Sequence, residues 1–261
     1  MEGGTIMYNF ILANKFLLDI GSWFADKKDE FYINFIKEGR YMYLVNGLWM
    51  TLRITFFAVL LGIALGVIAA LVRSTHDKTI NEMRPGFGKC MLIFFNAIVK
   101  IYLTVIRGTP VVVQLMIMYY IIFASSTNAM MVAILAFGIN SGAYVAEIIR
   151  SGIMSIDNGQ FEAGRSLGFN YIQTMYYIII PQALKNVLPA LANEFIVLIK
   201  ETSVSGYVGI MDLTRGGDVI RSRTFVAFMP LFAVAGIYLI IVMIFSKLVT
   251  VMERRLRNSE R

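Results

Sequence analysis

The sequence is short of the residues on which most soluble active sites are built. Among 261 residues, Cys90 is the only cysteine and His76 the only histidine. A single cysteine excludes an intrachain disulfide and a cysteine-based metal cluster. A single histidine leaves one place for a Ser-His-Asp site, and His76 stands in a charged stretch with no orienting motif. Both read as ordinary loop or interface residues. Charge is sparse too: 16% of residues are Asp, Glu, Lys or Arg, against 57% hydrophobic. With a mean hydropathy of +0.67, the chain has too much apolar surface for one soluble core. Long apolar runs with few charges are what a bilayer selects, each helix needing about 20 residues to cross. The expected fold class is all-α, a polytopic membrane protein with about five transmembrane helices. The net charge of +7 does not point to nucleic acid, because the cations cluster beside apolar segments, where they act as topology signals.

Residues 1–42 form a mixed, aromatic N-terminal extension. Its weakly apolar stretch Phe10–Phe24 is interrupted by Asn14, Lys15 and Asp19 and does not read as a cleaved signal peptide. Phe31–Lys37 has the pattern of an amphipathic helix lying at a membrane surface. The membrane domain is expected over 43–250. Its first span, Tyr43–Val72, carries Ala58, Gly62, Gly66 and Ala70 at every fourth position, one small face that lets another helix approach closely. Residues 90–106 are apolar but hold Asn96 and Lys100, which predicts a helix partly in the interface. Arg107-Gly108-Thr109-Pro110 interrupts it before a short apolar segment from Val111 to Ser125, so the start of the second span is open. The third span is expected over 130–149, the fourth over 172–199 and the fifth over Phe225–Thr250. Pro181 and Pro189 predict that the fourth is kinked or partly outside the hydrocarbon.

Five spans put the termini on opposite sides. Lys247, Arg254, Arg255, Arg257 and Arg261 make 251–261 a basic cytoplasmic tail, which leaves the N-terminus outside. Lys27, Lys28, Lys37 and Arg40 run against that assignment. Gly86-Phe87-Gly88-Lys89 fails as a phosphate loop, since Met83 stands where the first glycine is needed and Cys90 where Ser or Thr is needed.

The segment 159–181 reads Gly159-Gln160-Phe161-Glu162-Ala163-Gly164, then Gly168, and after nine residues Ile178-Ile179-Ile180-Pro181. Small residues at Ala163 and Gly164 suit a helix seated deep in a cleft on another protein, Gly168 suits a chain reversal, and Glu162 suits a basic residue on the cleft wall. The order and spacing resemble the cytoplasmic EAA signature of the membrane subunits of ABC importers, with Gly164 where alanine is usual and Ile180 where leucine is usual. Arg107-Gly108-Thr109-Pro110-Val111-Val112-Val113-Gln114, Asn140–Glu147, Asn193-Glu194-Phe195 and Lys200-Glu201-Thr202-Ser203 look like the polar amino acid permeases within that superfamily. The resemblance covers most of 45–250 and implies the type I ABC importer permease fold. It also implies that Gly159, Glu162, Ala163, Gly164, Gly168 and Pro181 belong to a coupling helix docking on an ATPase.

The same resemblance implies a second permease subunit, identical or paralogous, two ABC ATPase subunits, and an extracellular or periplasmic binding protein. The cargo would be a polar amino acid and the location a bacterial plasma (inner) membrane. No cofactor is expected on this chain and no enzyme activity of its own, ATP and Mg being used by the partner ATPase. Glu194 and Glu201, seven residues apart, share a helix face if the helix is continuous. They suit an ammonium or cationic side chain, with Thr202 and Ser203 offering donors to a carboxylate. Equally, Glu194 suits a structural bond to a neighbouring helix and Glu201 a solvated mouth. Glu147, one turn from Arg150, reads as structural. Two rivals remain: an ion-coupled secondary transporter, which would call for repeated halves not visible in the sequence, and a membrane-bound enzyme, for which no nucleophile–base or metal constellation is visible.

Overall fold

The structure, a computed structural model, describes residues 27–258; the Phe10–Phe24 stretch and the last three residues of the basic tail lie outside them. The described residues are helical, without strands. We label the helices α1 (Tyr41–Thr79), α2 (Phe87–Arg107), α3 (Val111–Ile117), α4 (Ala129–Met154), α5 (Asn158–Ser166), α6 (Tyr171–Thr174), α7 (Ile180–Glu201), α8 (Leu213–Thr224) and α9 (Phe228–Asn258). Single π-helical turns extend α3 (Met118–Ile122) and join α6 to α7 (Met175–Ile179), and a 3₁₀ turn follows α7 (Thr202–Val208).

Among the described residues, four helices, α1, α2, α4 and α9, are long and apolar enough to cross a membrane. The expected fourth span, 172–199, falls largely on α7, 22 residues long and carrying Lys185, Glu194, Lys200 and Glu201. Pro181 sits in its first turn, where a missing N–H costs nothing, and Pro189 lies inside it. α3 follows the break after Arg107, and α2 before it is one continuous 21-residue helix from Phe87. Its Asn96 is buried and accepts from Arg73 Nη1 at 3.0 Å, so this polar residue is spent on α1. The helix ends where expected, before Thr109-Pro110. Gln114 then partners the freed carbonyls, donating to Ile106 O at 2.7 Å and Thr109 O at 3.1 Å, and accepting from Asn140 Nδ2 at 2.9 Å.

The centre of the fold is the contact of α1 with α4. The two run parallel, Leu61 lying against Gly138 and Gly66 against Val145. All four small residues of the α1 stripe, Ala58, Gly62, Gly66 and Ala70, are buried. A Cβ on Gly66 would stand 2.4 Å from Val145 Cγ1, so no larger residue fits without moving a helix. Around this pair, Ile54, Leu115, Phe137, Leu198 and Val208 form a core shared by α1, α3, α4, α7 and the 3₁₀ turn.

Each end of α1 carries a different cap. At its start lies α8, whose first residue Leu213 donates its N–H to Thr51 Oγ1 at 3.2 Å. Asp212 caps α8, accepting from the N–H groups of Thr214 and Arg215, while burial pushes its carboxyl up to about 6. The N-terminal segment joins this end: Phe35 packs with Leu213 and Ile220, and Asn34 Oδ1 accepts from Thr224 at 2.8 Å. Phe31, Tyr32, Ile33 and Ile36 are exposed on this segment. At the other end of α1 lies α5.

The close approach makes a contrasting pair of substitutions. Gly66→Leu should destabilise the purified chain by about 1–3 kcal/mol or more through overpacking. Gly236→Ala in α9, where an added Cβ meets nothing within 4 Å, should be neutral or stabilising. Thermal unfolding in detergent reads both.

Candidate docking end and translocation path

The α5 segment is built by local rules. Asp157 caps it, its Oδ1 accepting from Gly159 N at 2.7 Å. A Cβ on Gly159 would stand 2.7 Å from that same oxygen, which gives the first glycine of the motif a physical reason. At the far end Gly168 adopts φ +80°, a left-handed conformation that costs other residues about 1–2 kcal/mol. Two bonds complete the stop: Gly168 N to Arg165 O at 2.9 Å, and Phe169 N to Gly164 O at 3.0 Å. Asn170 and Gln173 then form a reciprocal capping box that starts α6. Two helix signals within a dozen residues thus turn the chain through a tight corner.

Phe161 and Gly164 face inward, and Glu162, Ala163, Arg165, Ser166 and Leu167 face out. Here the structure corrects the sequence reading of Ala163 and Gly164 as one small outward face. The two are adjacent, so the helical turn of about 100° per residue separates them. Gly164 is small for the chain itself, since a Cβ there would meet Thr174 Cγ2 and Oγ1 at 2.7 Å. Phe161 joins Ile153, Met175, Ile179 and Ala183 in a local core that fixes α5 to α4 and α7. Pro181, the last residue of the motif, is exposed in the first turn of α7.

The end of α1 grips α5 through residues the sequence did not single out. Lys78 Nζ donates to Asn158 Oδ1 at 2.7 Å and lies 4.5 Å from the centre of the Phe161 ring. Arg165 meets both oxygens of Glu82, at 3.1 and 3.2 Å. Between them is a cavity of about 260 Å³ lined by Thr79, Phe169, Tyr171 and Thr174. The Tyr171 hydroxyl is buried there, and burial pushes its phenol up. These partners are 80 and 83 positions apart, beyond any spacing rule.

The path residues divide. Because α7 is continuous from Ile180 to Glu201, Glu194 and Glu201 do share a face. Glu194 is buried and its Oε1 accepts from Ser141 Oγ of α4 at 2.9 Å, the structural bond weighed from sequence. Thr202 is buried and donates to Ile199 O at 2.8 Å, so its hydroxyl is spent on its own helix. Glu201 is half-buried. Ser203 lines an open cavity of about 250 Å³ with Gly206, Tyr207, Thr214, Arg215 and Asp218. The four candidates therefore do not converge on one pocket. Glu147 is structural as expected, its Oε2 taking Arg150 Nη2 at 3.1 Å, with Arg107 3.8 Å from Oε1.

Comparison with known proteins bears on this arrangement. The glutamine transport system permease protein of Escherichia coli (strain K12) is 35% identical, matching 82% of this chain and 93% of its own. The arginine transport system permease protein of Bacillus subtilis (strain 168) is 34% identical over 84% of this chain and 94% of its own. Among solved structures, an amino acid ABC transporter crystallised with histidines is 42% identical, with a TM-score of 0.73 over 85% of this chain and 98% of that one. The inward-facing MetNI methionine ABC transporter shares the fold at 20% identity and a TM-score of 0.68, over 83% of this chain and 97% of that one. Residues 91–258 match the family described as binding-protein-dependent transport system inner membrane component. With α5 at one end and a bundle of apolar helices behind it, the chain belongs to that family, as a membrane-spanning permease subunit of an ABC importer.

Proposed function

We propose that this permease carries a polar amino acid and is driven through α5. The observation that carries the reading is the outward face of Glu162 and Ala163, on a helix held at both ends and braced by Lys78 and Glu82. In this reading α5 seats in a cleft of an ATP-hydrolysing partner, and Glu162 pairs with a cation on the cleft wall. The α5 end is cytoplasmic, the α8 end faces out, and the N-terminus lies outside. Two permease chains, this one with a copy or a paralogue, enclose the path, two ATPase subunits dock below and a binding protein delivers cargo from outside. ATP and Mg are used by the ATPase alone. A transporter of this kind needs two states with different access, and the ATPase biases them only by holding one more tightly than the other.

An amino acid is favoured by the named relatives, which transport glutamine and arginine. The half-buried Glu201 and the cavity at Ser203 offer an acceptor for an ammonium and a donor for a carboxylate. Glu194 serves this path by holding α7 on α4, so Glu194→Gln should lower thermal stability more than it changes the choice of amino acid. Competition uptake assays and melting curves on one preparation separate the two effects.

Docking and folding are separable on α5. Glu162→Lys and Ala163→Trp change exposed positions, and should leave the melting temperature unchanged. They should weaken ATPase co-purification and ATP-driven uptake by about tenfold or more, as expected for loss of a buried interfacial charge pair. Gly164→Val should instead lower the melting temperature, because the added methyls meet Thr174. If Glu162→Lys leaves both co-purification and uptake intact, α5 is not the docking element.

A further inference from the structure

Where α2 crosses α1 and α4 there is a second charged site that the docking and path readings do not use. Arg73, Lys100, Thr104, Arg107 and Glu147 line a cavity of about 400 Å³. Its carboxylate is already engaged, Glu147 being held by Arg150 and approached by Arg107. Asp77, just behind, lies 3.5 Å from Arg150 and 3.9 Å from Arg73. The group as a whole has four cations, Arg73, Lys100, Arg107 and Arg150, against two carboxylates, Asp77 and Glu147, a surplus of two positive charges. Lys100 is exposed and has no polar partner among the described residues. The Nε of Arg73 is buried without a hydrogen-bond partner.

The depth of this cavity is fixed by the helices around it. The apolar run of α1 ends at Val72, and Arg73 opens the polar stretch Arg73-Ser74-Thr75-His76-Asp77-Lys78. In α4 the run from Ala129 ends in the same way at Glu147 and Arg150. Both helices therefore leave the hydrocarbon at the level of the cavity, where lipid headgroups lie. Alongside, α2 turns Phe94, Ile98, Ile101 and Val105 outward, an apolar strip on the helix that also carries Lys100 and Arg107. A second, almost wholly apolar trough of about 310 Å³, lined by Leu65, Ile68, Ile98 and Tyr102, flanks the same crossing.

We propose that this crossing binds a phosphate-bearing anion, and that its source is the headgroup of an anionic phospholipid with acyl chains along the outer strip of α2. Lys100 and Arg107 contact the phosphate, and Arg73 supplies charge from behind. Basic pockets between membrane helices favour such headgroups, each cation near the surface being worth about fivefold in affinity. On the proposed topology the lipid belongs to the cytoplasmic leaflet. The site stands whether or not α5 is the docking element.

The full chain, purified with its partners, is delipidated and exchanged into mixed micelles with phosphatidylglycerol or phosphatidylethanolamine. Retained lipid is then counted by native mass spectrometry, with inorganic phosphate as a further arm. The expected result is retention of phosphatidylglycerol over phosphatidylethanolamine, weakened roughly fivefold by Lys100→Gln and unchanged by Arg223→Gln at the opposite end of α1. Lys100→Gln removes an exposed charge, so its melting curve should match the parent. Equal retention of both lipids, or of phosphatidylglycerol by parent and Lys100→Gln alike, would overturn the site. Binding of inorganic phosphate with no lipid preference would overturn the lipid as its source, and so would retention lost only because a second permease chain covers the crossing.

Discussion

Between α1 and α4 there is no side chain to spare. Lipid tails are as apolar as the helices they surround, so two membrane helices gain little from hydrophobic burial against each other and are held by close contact instead. Gly62 and Gly66 bring α1 down onto Ser141 and Val145, and Gly138 and Gly142 bring α4 onto Leu61 and Leu65. The same glycines let other helices bond through the pair. A Cβ on Gly142 would stand 2.8 Å from the Tyr102 hydroxyl, which donates to Ile139 O at 2.6 Å and so ties α2 to the pair. Ser141, packed against Gly62, holds Glu194 of α7. The rest of the bundle is placed by this one contact.

From that pair the molecule divides by chemistry along α1. Its first turns carry α8 and the N-terminal segment, tied by Thr51, Asp212 and Asn34. Its last turns and the turn after them carry α5, tied by Lys78 and Glu82, and the charge network of Arg73 and Asp77. A single 39-residue helix thus touches both ends, longer at about 58 Å than the hydrocarbon it crosses. α5 is held directly by α1 through Lys78 and by α4 through the Phe161 core, and those two helices are themselves joined by the glycine contact.

Much of this was legible in the residues. The four-residue stripe on α1 named its own buried face, because a helix turns about 100° per residue and repeats its face every fourth position. The break at Thr109-Pro110 was visible because proline has no N–H and restricts the residue before it. The reversal at Gly168 was visible because only glycine adopts that φ without strain. Less legible was the use of each polar group. Asn96 and Lys100 read alike as polar marks on an apolar helix, but Asn96 is buried against Arg73 while Lys100 is exposed. Ala163 and Gly164 looked alike in sequence, yet Ala163 is exposed and Gly164 buried in the fold.

By itself, the sequence determined the membrane class, the helix breaks and the small-residue face, all of which depend on composition or on local spacings. The tertiary structure alone decided that Glu194 meets Ser141, that Lys78 and Glu82 hold α5, and that Arg73, Lys100 and Arg107 converge on one cavity. Those partners lie on different elements, 53 to 83 positions apart for the paired contacts. Side-chain identity states what a residue can bond to; only the packing of helices on the α1–α4 pair states what comes within reach.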